Sequence, residues 1–208
     1  MSKLRLWGQP RSINVQKVLW ALEELGLEYE RVDAGGNFGR VKDADYLTLN
    51  PNGLIPTLED GGAVLWESNA ILRYLYTKYG THPALPSDLG VRGRADGWTD
   101  WYSTTFWSSV RPLVVQLLRT APEKRDQKLI DESLRAASAA AQILDRELAK
   151  KPYVAGDHFT FGDIPVASAA QRWFNLPIAR PELPALSAWY ARVKERPGFK
   201  RWLDLPLQ

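Results

Sequence analysis

One stretch constrains the fold more than any other: "NPNGLIPTLEDGGAVLWESNAIL", running from Asn50 to Leu72. Two short apolar runs, residues 57–59 and 63–66, flank Asp60-Gly61-Gly62, which reads as a tight hairpin turn. A proline opens the first run, where it fits only an edge or the first residue of a strand. Glu67-Ser68 then ends the second run and starts a helix over 68–79, with Ile71, Leu72, Leu75 and Tyr79 on one side. An antiparallel hairpin followed at once by an amphipathic helix predicts a sheet with a helix packed on one face.

The residues before it supply the rest of that sheet. Residues 3–7 alternate, with Leu4 and Leu6 on one face, and read as a strand. Gly8-Gln9-Pro10-Arg11-Ser12 is a loop, and a helix is expected over 13–25 with Val15, Val18, Leu19, Leu22 and Leu25 as its apolar stripe and Gly26 as its stop. A second strand covers 29–32, so strand, helix and strand form a right-handed crossover between parallel neighbours. Residues 35–40 read as a flexible loop and 44–49 as a short helix. The order is βαβαββα within residues 1–80.

The texture then changes. A proline-rich linker, 81–89, leads into 90–208, where no strand signal appears and an all-helical domain is expected. One long helix is predicted over 90–118 with a kink at Arg111-Pro112. Another covers 123–150, with Ile130, Leu134, Ala137, Ala141, Leu144 and Leu148 along its buried face, and shorter ones cover 162–173 and 184–195. Thr160-Phe161-Gly162-Asp163 fits a capping box, which makes Asp163 a structural residue rather than a reacting one.

Composition closes several routes. The 208 residues contain no cysteine, which excludes disulfides, thiolate metal sites and a cysteine nucleophile. His82 and His158 fall in loops and suggest no metal. The net charge of +3 is spread among interspersed acids and bases, which argues against a nucleic-acid partner. No run approaches the roughly 20 apolar residues of a membrane span, and the first residues lack a signal-peptide pattern, so a cytoplasmic location is expected.

"GQPRSINVQKV", "NPNGLIPTL", "WESNAIL" and "FTFGDIPVASA", in this order, resemble the cytosolic glutathione transferase superfamily over nearly the whole chain. The stretch from Ser12 to Gly26 and "RADGWTDWYSTTF" look most like bacterial theta and nu-like members. The resemblance implies a thioredoxin-like N-terminal α/β domain that binds glutathione, an all-α domain that carries the acceptor-substrate pocket, glutathione as co-substrate with no metal, and a homodimer. It implies a cis Ile55-Pro56 bond, with the backbone of Ile55 pairing with the cysteinyl unit, and Glu67 and Ser68 holding the γ-glutamyl head group. On residue chemistry alone, Glu67-Ser68 also fits simple helix capping.

The thiol, then, arrives with the ligand. A free thiol titrates near pH ~8.5, so roughly 3% is thiolate at pH 7; about 2–3 kcal/mol of stabilisation lowers that pKa by roughly 1.5–2 units. A hydroxyl donor backed by a helix N-terminus supplies this order of energy. The resemblance implies Ser12 as donor to the sulfur, with Asn14 sharing the task, although Ser12 also fits a plain N-cap. Where the family often carries a basic or amide residue two before the proline, this chain has Leu54, leaving Asn52, Arg40 or the backbone of 37–39 for the glycyl carboxylate. An apolar acceptor pocket is expected from Trp101, Phe106, Trp107 and Arg111 within an aromatic run that also holds Trp98 and Tyr102. Asp96 is expected to reach the γ-glutamyl ammonium across a dimer interface. The function implied is activation of the glutathione thiol for attack on a small hydrophobic electrophile. A glutathione-dependent disulfide reductase, or a non-catalytic binding protein on the same fold, uses the same binding residues.

Overall fold

The computed structural model describes residues 4–81 and 83–205. His82 and residue 3, at the start of the expected first strand, lie outside these. The chain forms two compact units: the first comprises the chain up to Gly80 together with Pro197–Leu203, the second Thr81–Arg196 and the residues from Asp204 onward.

In the first unit the order is β1 (Leu4–Trp7), α1 (Ile13–Glu24), β2 (Tyr29–Val32), α2 (Ala44–Leu49), β3 (Thr57–Asp60), β4 (Ala63–Trp66) and α3 (Ser68–Tyr79). The sheet order is β2-β1-β3-β4, with β1 parallel to β2 and β3 antiparallel to both of its neighbours. The Asp60↔Ala63 pair closes the hairpin over Gly61 (φ 58°) and Gly62 (φ 93°), backbone that side-chain-bearing residues rarely adopt. Asp60 ties the hairpin to α3 by accepting bonds from the hydroxyls of Tyr74 (2.9 Å) and Tyr79 (2.7 Å) and from Lys78 Nζ (2.8 Å). Helix α1 ends as Gly26 predicts: Gly26 N–H bonds Glu23 O and Leu27 N–H bonds Leu22 O, the Schellman pattern. Residues 35–40, expected to be a flexible loop, hold a 3-10 turn, Gly36–Phe38, closed by Gly35 N–H to Gly39 O at 2.7 Å.

Residues 197–202, which the sequence reading places in the second domain without a helix of their own, form one that belongs to the first unit. Helix α9 (Pro197–Trp202) packs on α1. Gly198 permits the approach, since a Cβ there would sit 2.0 Å from Trp20 Cδ1. Phe199 meets Trp20 edge-on at 5.5 Å, and Arg201 bonds Glu23 at 2.8 Å. With α3 and α9 both packed on it, α1 is buried at every position from Val15 to Leu22 rather than along one stripe.

The second unit is helical: α4 (Leu89–Trp101), α5 (Trp107–Val114), α6 (Gln127–Leu148), α7 (Asp163–Asn175) and α8 (Pro184–Lys194). The long helix expected over 90–118 is continuous but widens into π turns at Tyr102–Phe106 and Val115–Arg119, which flank Pro112 instead of falling on it. The first widening lies in a Ser/Thr-rich run whose hydroxyls bond back to the helix, as Thr104 does to Asp100 O (3.1 Å) and Ser108 to Thr104 O (2.9 Å). Such back-bonding competes with the regular ladder. Helix α6 starts at Gln127, later than expected, because Asp126 caps it by accepting from Leu129 N–H at 3.0 Å. Its buried face includes Ser133 and Ala140, while Leu134 is only half-buried.

Asp163 is fully buried and accepts from Val154 N–H (3.0 Å), Thr160 N–H (2.9 Å), Thr160 Oγ1 (3.3 Å) and Trp189 Nε1 (2.9 Å). Its bond from Thr160 N–H is the reciprocal half of the expected capping box. The helix itself begins at Asp163, with Gly162 rather than Thr160 as N-cap. No helix among the described residues is long and apolar enough to cross a membrane.

Candidate glutathione site

The site is built from three ends of elements in the first unit. At the start of α1, Ser12 is the N-cap (φ −75°, ψ 125°), yet its hydroxyl makes no capping hydrogen bond. Asn14 follows in the first turn.

The second piece is the loop before β3. Asn50, buried at the end of α2, donates to Leu54 O (2.8 Å) and Thr57 Oγ1 (3.2 Å), and its side-chain oxygen accepts from Asn52 N–H (3.0 Å). Tyr46 OH reinforces the same carbonyl of Leu54 at 2.6 Å. This bonding shapes the chain just before Ile55-Pro56, which is cis, and the β1–β3 ladder reaches only Thr57, leaving Ile55 outside it.

The third piece is the junction of β4 and α3. Here the structure corrects the expected cap: Glu67 is the N-cap, in the left-handed region at φ 67°, and Ser68 is the first helical residue, buried. Backbone of that kind costs a non-glycine residue roughly 1–3 kcal/mol and tends to mark functional positions. No side chain caps α3, and no acid sits in its first turn. The positive end of α3 therefore favours an anion. Strand β4 is an edge strand, half-buried at Ala63 and Leu65 and exposed at Val64 and Trp66, although its sequence is apolar throughout.

These pieces meet. Asn14, Asn50, Asn52, Leu54, Ile55, Pro56, Glu67 and Ser68 line one notch of about 40 Å³. A larger groove, about 470 Å³, runs along α6 past Asp131, Leu134, Arg135 and Ala179. Size favours the groove, but only the notch joins a carboxylate, an open helix N-terminus and unladdered backbone.

Other expected residues fall elsewhere. Arg40 is committed to Asp43 (3.4 Å) and Asp45 (3.0 Å) and lies over the Trp7 ring, so it does not line the notch. Asp96 is half-buried on α4. Trp101 and Trp107 are half-buried and Arg111 exposed, whereas Phe106 is fully buried and stacks beneath Trp101 at 5.6 Å, a supporting place rather than a lining one. Sequence reasoning missed Asn50, whose Asn-Pro-Asn-Gly setting is a turn signal. Lys42, whose ammonium lies 3.0 Å from where a Gly53 Cβ would be, is near the same loop without lining the notch. Among the described residues no group of three or more His, Cys, Asp or Glu could hold a metal.

A four-stranded sheet with a cis-proline turn at the start of β3 and a helix after β4, followed by a helical unit, is a thioredoxin-like domain joined to an all-α one. The comparisons with known proteins agree. Residues 2–77 match the family model for the glutathione S-transferase N-terminal domain and residues 103–197 that for the C-terminal domain. The chain is 42% identical over 206 residues to glutathione S-transferase GstB of Escherichia coli strain K12, covering 98% of this chain and 99% of that one. It is 34% identical to glutathione S-transferase 3 of Zea mays over 97% and 93% of the two chains. The theta class glutathione S-transferase of Xanthomonas axonopodis pv. citri, solved with glutathione bound, superposes with a TM-score of 0.94 at 42% identity over the whole of both chains. The chain belongs to the glutathione S-transferase family.

Proposed function

We propose that the notch seats the γ-glutamyl end of glutathione, and that Ser12 donates a hydrogen bond to its sulfur. The observation that carries this reading is the uncapped start of α3, with Glu67 and Ser68 at the notch. The α-carboxylate of the ligand meets the N-terminus of α3 and the Ser68 hydroxyl, and its ammonium meets Glu67. The cysteinyl backbone pairs with Ile55 as an added strand. Asn52 and Lys42 take the glycyl carboxylate, which compensates for Leu54.

Ser12 has a hydroxyl not spent on its own helix, and the N-terminus of α1 adds its partial positive charge. Both favour the thiolate, and Asn14 is the second donor within reach of the notch. The thiolate attacks an electrophilic carbon, a new C–S bond forms, the leaving group departs with its electron pair, and the thiol proton passes to solvent. The acceptor is a small hydrophobic molecule, for which Trp101, Trp107 and Arg111 of the helical unit are the candidate contacts. The assembly is a symmetric homodimer: the edge strand β4 leaves Val64 and Trp66 41% and 40% exposed, apolar area of the kind that a second copy covers. Asp96 reaches the ammonium from the partner, and the setting is cytoplasmic, where reduced glutathione is held.

Calorimetry tests the core of this reading. Glutathione is expected to bind the wild type, and Glu67→Ala and Ser68→Ala each to weaken binding by about 1–3 kcal/mol. Unchanged affinity in both variants refutes the assignment of the notch.

A further inference from the structure

Lys17 is 1% exposed, in the middle of α1, among Val15, Val18 and Leu19. An ammonium is an unfavourable group to bury there, and an unbranched apolar side chain would fill the same space. Its Nζ donates to Asn69 Oδ1 at 2.8 Å. Asn69 directly follows Ser68, and Lys17 stands one helical turn from Asn14; both Ser68 and Asn14 line the notch. The bond thus joins the two helices whose first turns help to line the notch. It reaches α3 in a first turn that begins in left-handed backbone and has no side-chain cap. Burial pushes the lysine down from 10.5 to about 7, and the charge of Glu67 opposes that effect.

We propose that Lys17 is a positioning residue of the glutathione site: through Asn69 it holds the uncapped first turn of α3, and with it Glu67 and Ser68, in register with Asn14. This rests on the assignment of the notch to glutathione. Lys17 itself touches no ligand. Without its bond, the N–H groups of α3 and the Glu67 carboxylate no longer converge on one head group, so binding suffers before chemistry does.

The test is a double-mutant cycle of Lys17→Met and Asn69→Ala, with calorimetry and steady-state kinetics on the intact protein. Each single variant is expected to weaken glutathione binding about tenfold and to raise the glutathione KM by a similar factor, with kcat at saturation within about twofold of wild type. The double variant is expected to lose about the same tenfold as either single, since each single already removes the bond that the two residues share. Folded Lys17→Met protein with wild-type affinity overturns the proposal, as do losses that multiply to about a hundredfold in the double variant. Should Lys17→Met fail to fold, Asn69→Ala alone decides, and wild-type affinity there overturns it. A wild-type chain that does not bind glutathione overturns the reading of the notch itself; normal wild-type binding with unaffected variants overturns only the role of Lys17.

Discussion

Replacing Asp163 by alanine tests how the second unit is held together. The carboxylate serves three backbone or indole N–H donors and one hydroxyl, all buried, drawn from the segment before α7, from α7's own approach and from α8. Burial raises the Asp163 pKa, against those four bonds, which stabilise the charged form. Alanine leaves Val154 N–H, Thr160 N–H and Trp189 Nε1 without acceptors, at about 1–3 kcal/mol each. Relief of the buried charge and some relaxation offset part of this, so a net loss of roughly 3–5 kcal/mol is expected, a large share of the ~5–15 kcal/mol that domains typically possess. Asparagine is milder. Its oxygen can keep Val154 and Trp189, its amide opposes Thr160 N–H, and the Thr160 hydroxyl can turn to accept, so about 1–3 kcal/mol is expected. Urea unfolding followed by circular dichroism should rank wild type above Asp163→Asn above Asp163→Ala, and the folded asparagine variant should bind glutathione normally. An alanine variant within about 1 kcal/mol of wild type would refute this reasoning.

The buried Lys17 makes stability depend on pH. Between about 7 and 10.5 the unfolded chain holds a proton that the native lysine has lost, so this group's contribution to stability rises with pH across that window, and its penalty is complete below 7. At 1.36 kcal/mol per unit the span is roughly 3–5 kcal/mol, so Lys17→Met should exceed wild type in stability at pH 6 and lose that advantage by pH 10; a difference that does not vary with pH would contradict it. Ser12→Ala is expected to lower kcat more than it raises KM and to move the thiolate absorbance of bound glutathione to higher pH; an unmoved titration would reassign the donor to Asn14. Gly198→Ala would place a Cβ 2.0 Å from Trp20 Cδ1, and overpacking of this kind should cost about 1–3 kcal/mol by thermal melting.

Local chemistry made the first unit readable. The hairpin follows from Asp60-Gly61-Gly62, α1 from its apolar spacing and Gly26, and α2 lies where short-range pattern puts it. What escaped depends on which partners a side chain takes, some distant in sequence and some near, and on one local choice of backbone. Lys17 reads as a surface residue of an amphipathic helix until α3 and α9 are both seen to pack on α1. Asn50 looks like any turn residue until its bonds to Leu54 and Thr57 place it under the notch. Arg40 was the opposite case: a cation free to serve a ligand on paper, yet Asp43 and Asp45, close by in sequence, already claim it. At the β4–α3 junction Ser68 has the right chemistry for a cap, but the chain turns through Glu67 one residue earlier, a backbone choice that side-chain preference did not reveal.

Helix α9 has a consequence for the order of events during synthesis. The residues that cover Trp20, from Pro197 to Trp202, leave the ribosome only after all of α4–α8 has been made. The nascent first unit can form its sheet early, yet it carries an uncovered indole and an open flank on α1 throughout the translation of more than a hundred further residues. At ~5–20 residues per second that interval lasts roughly 6–25 s, far longer than hydrophobic surfaces take to find one another. The first unit to emerge is thus the last to be finished, and its half-built form is the species on which a chaperone would have the longest time to act.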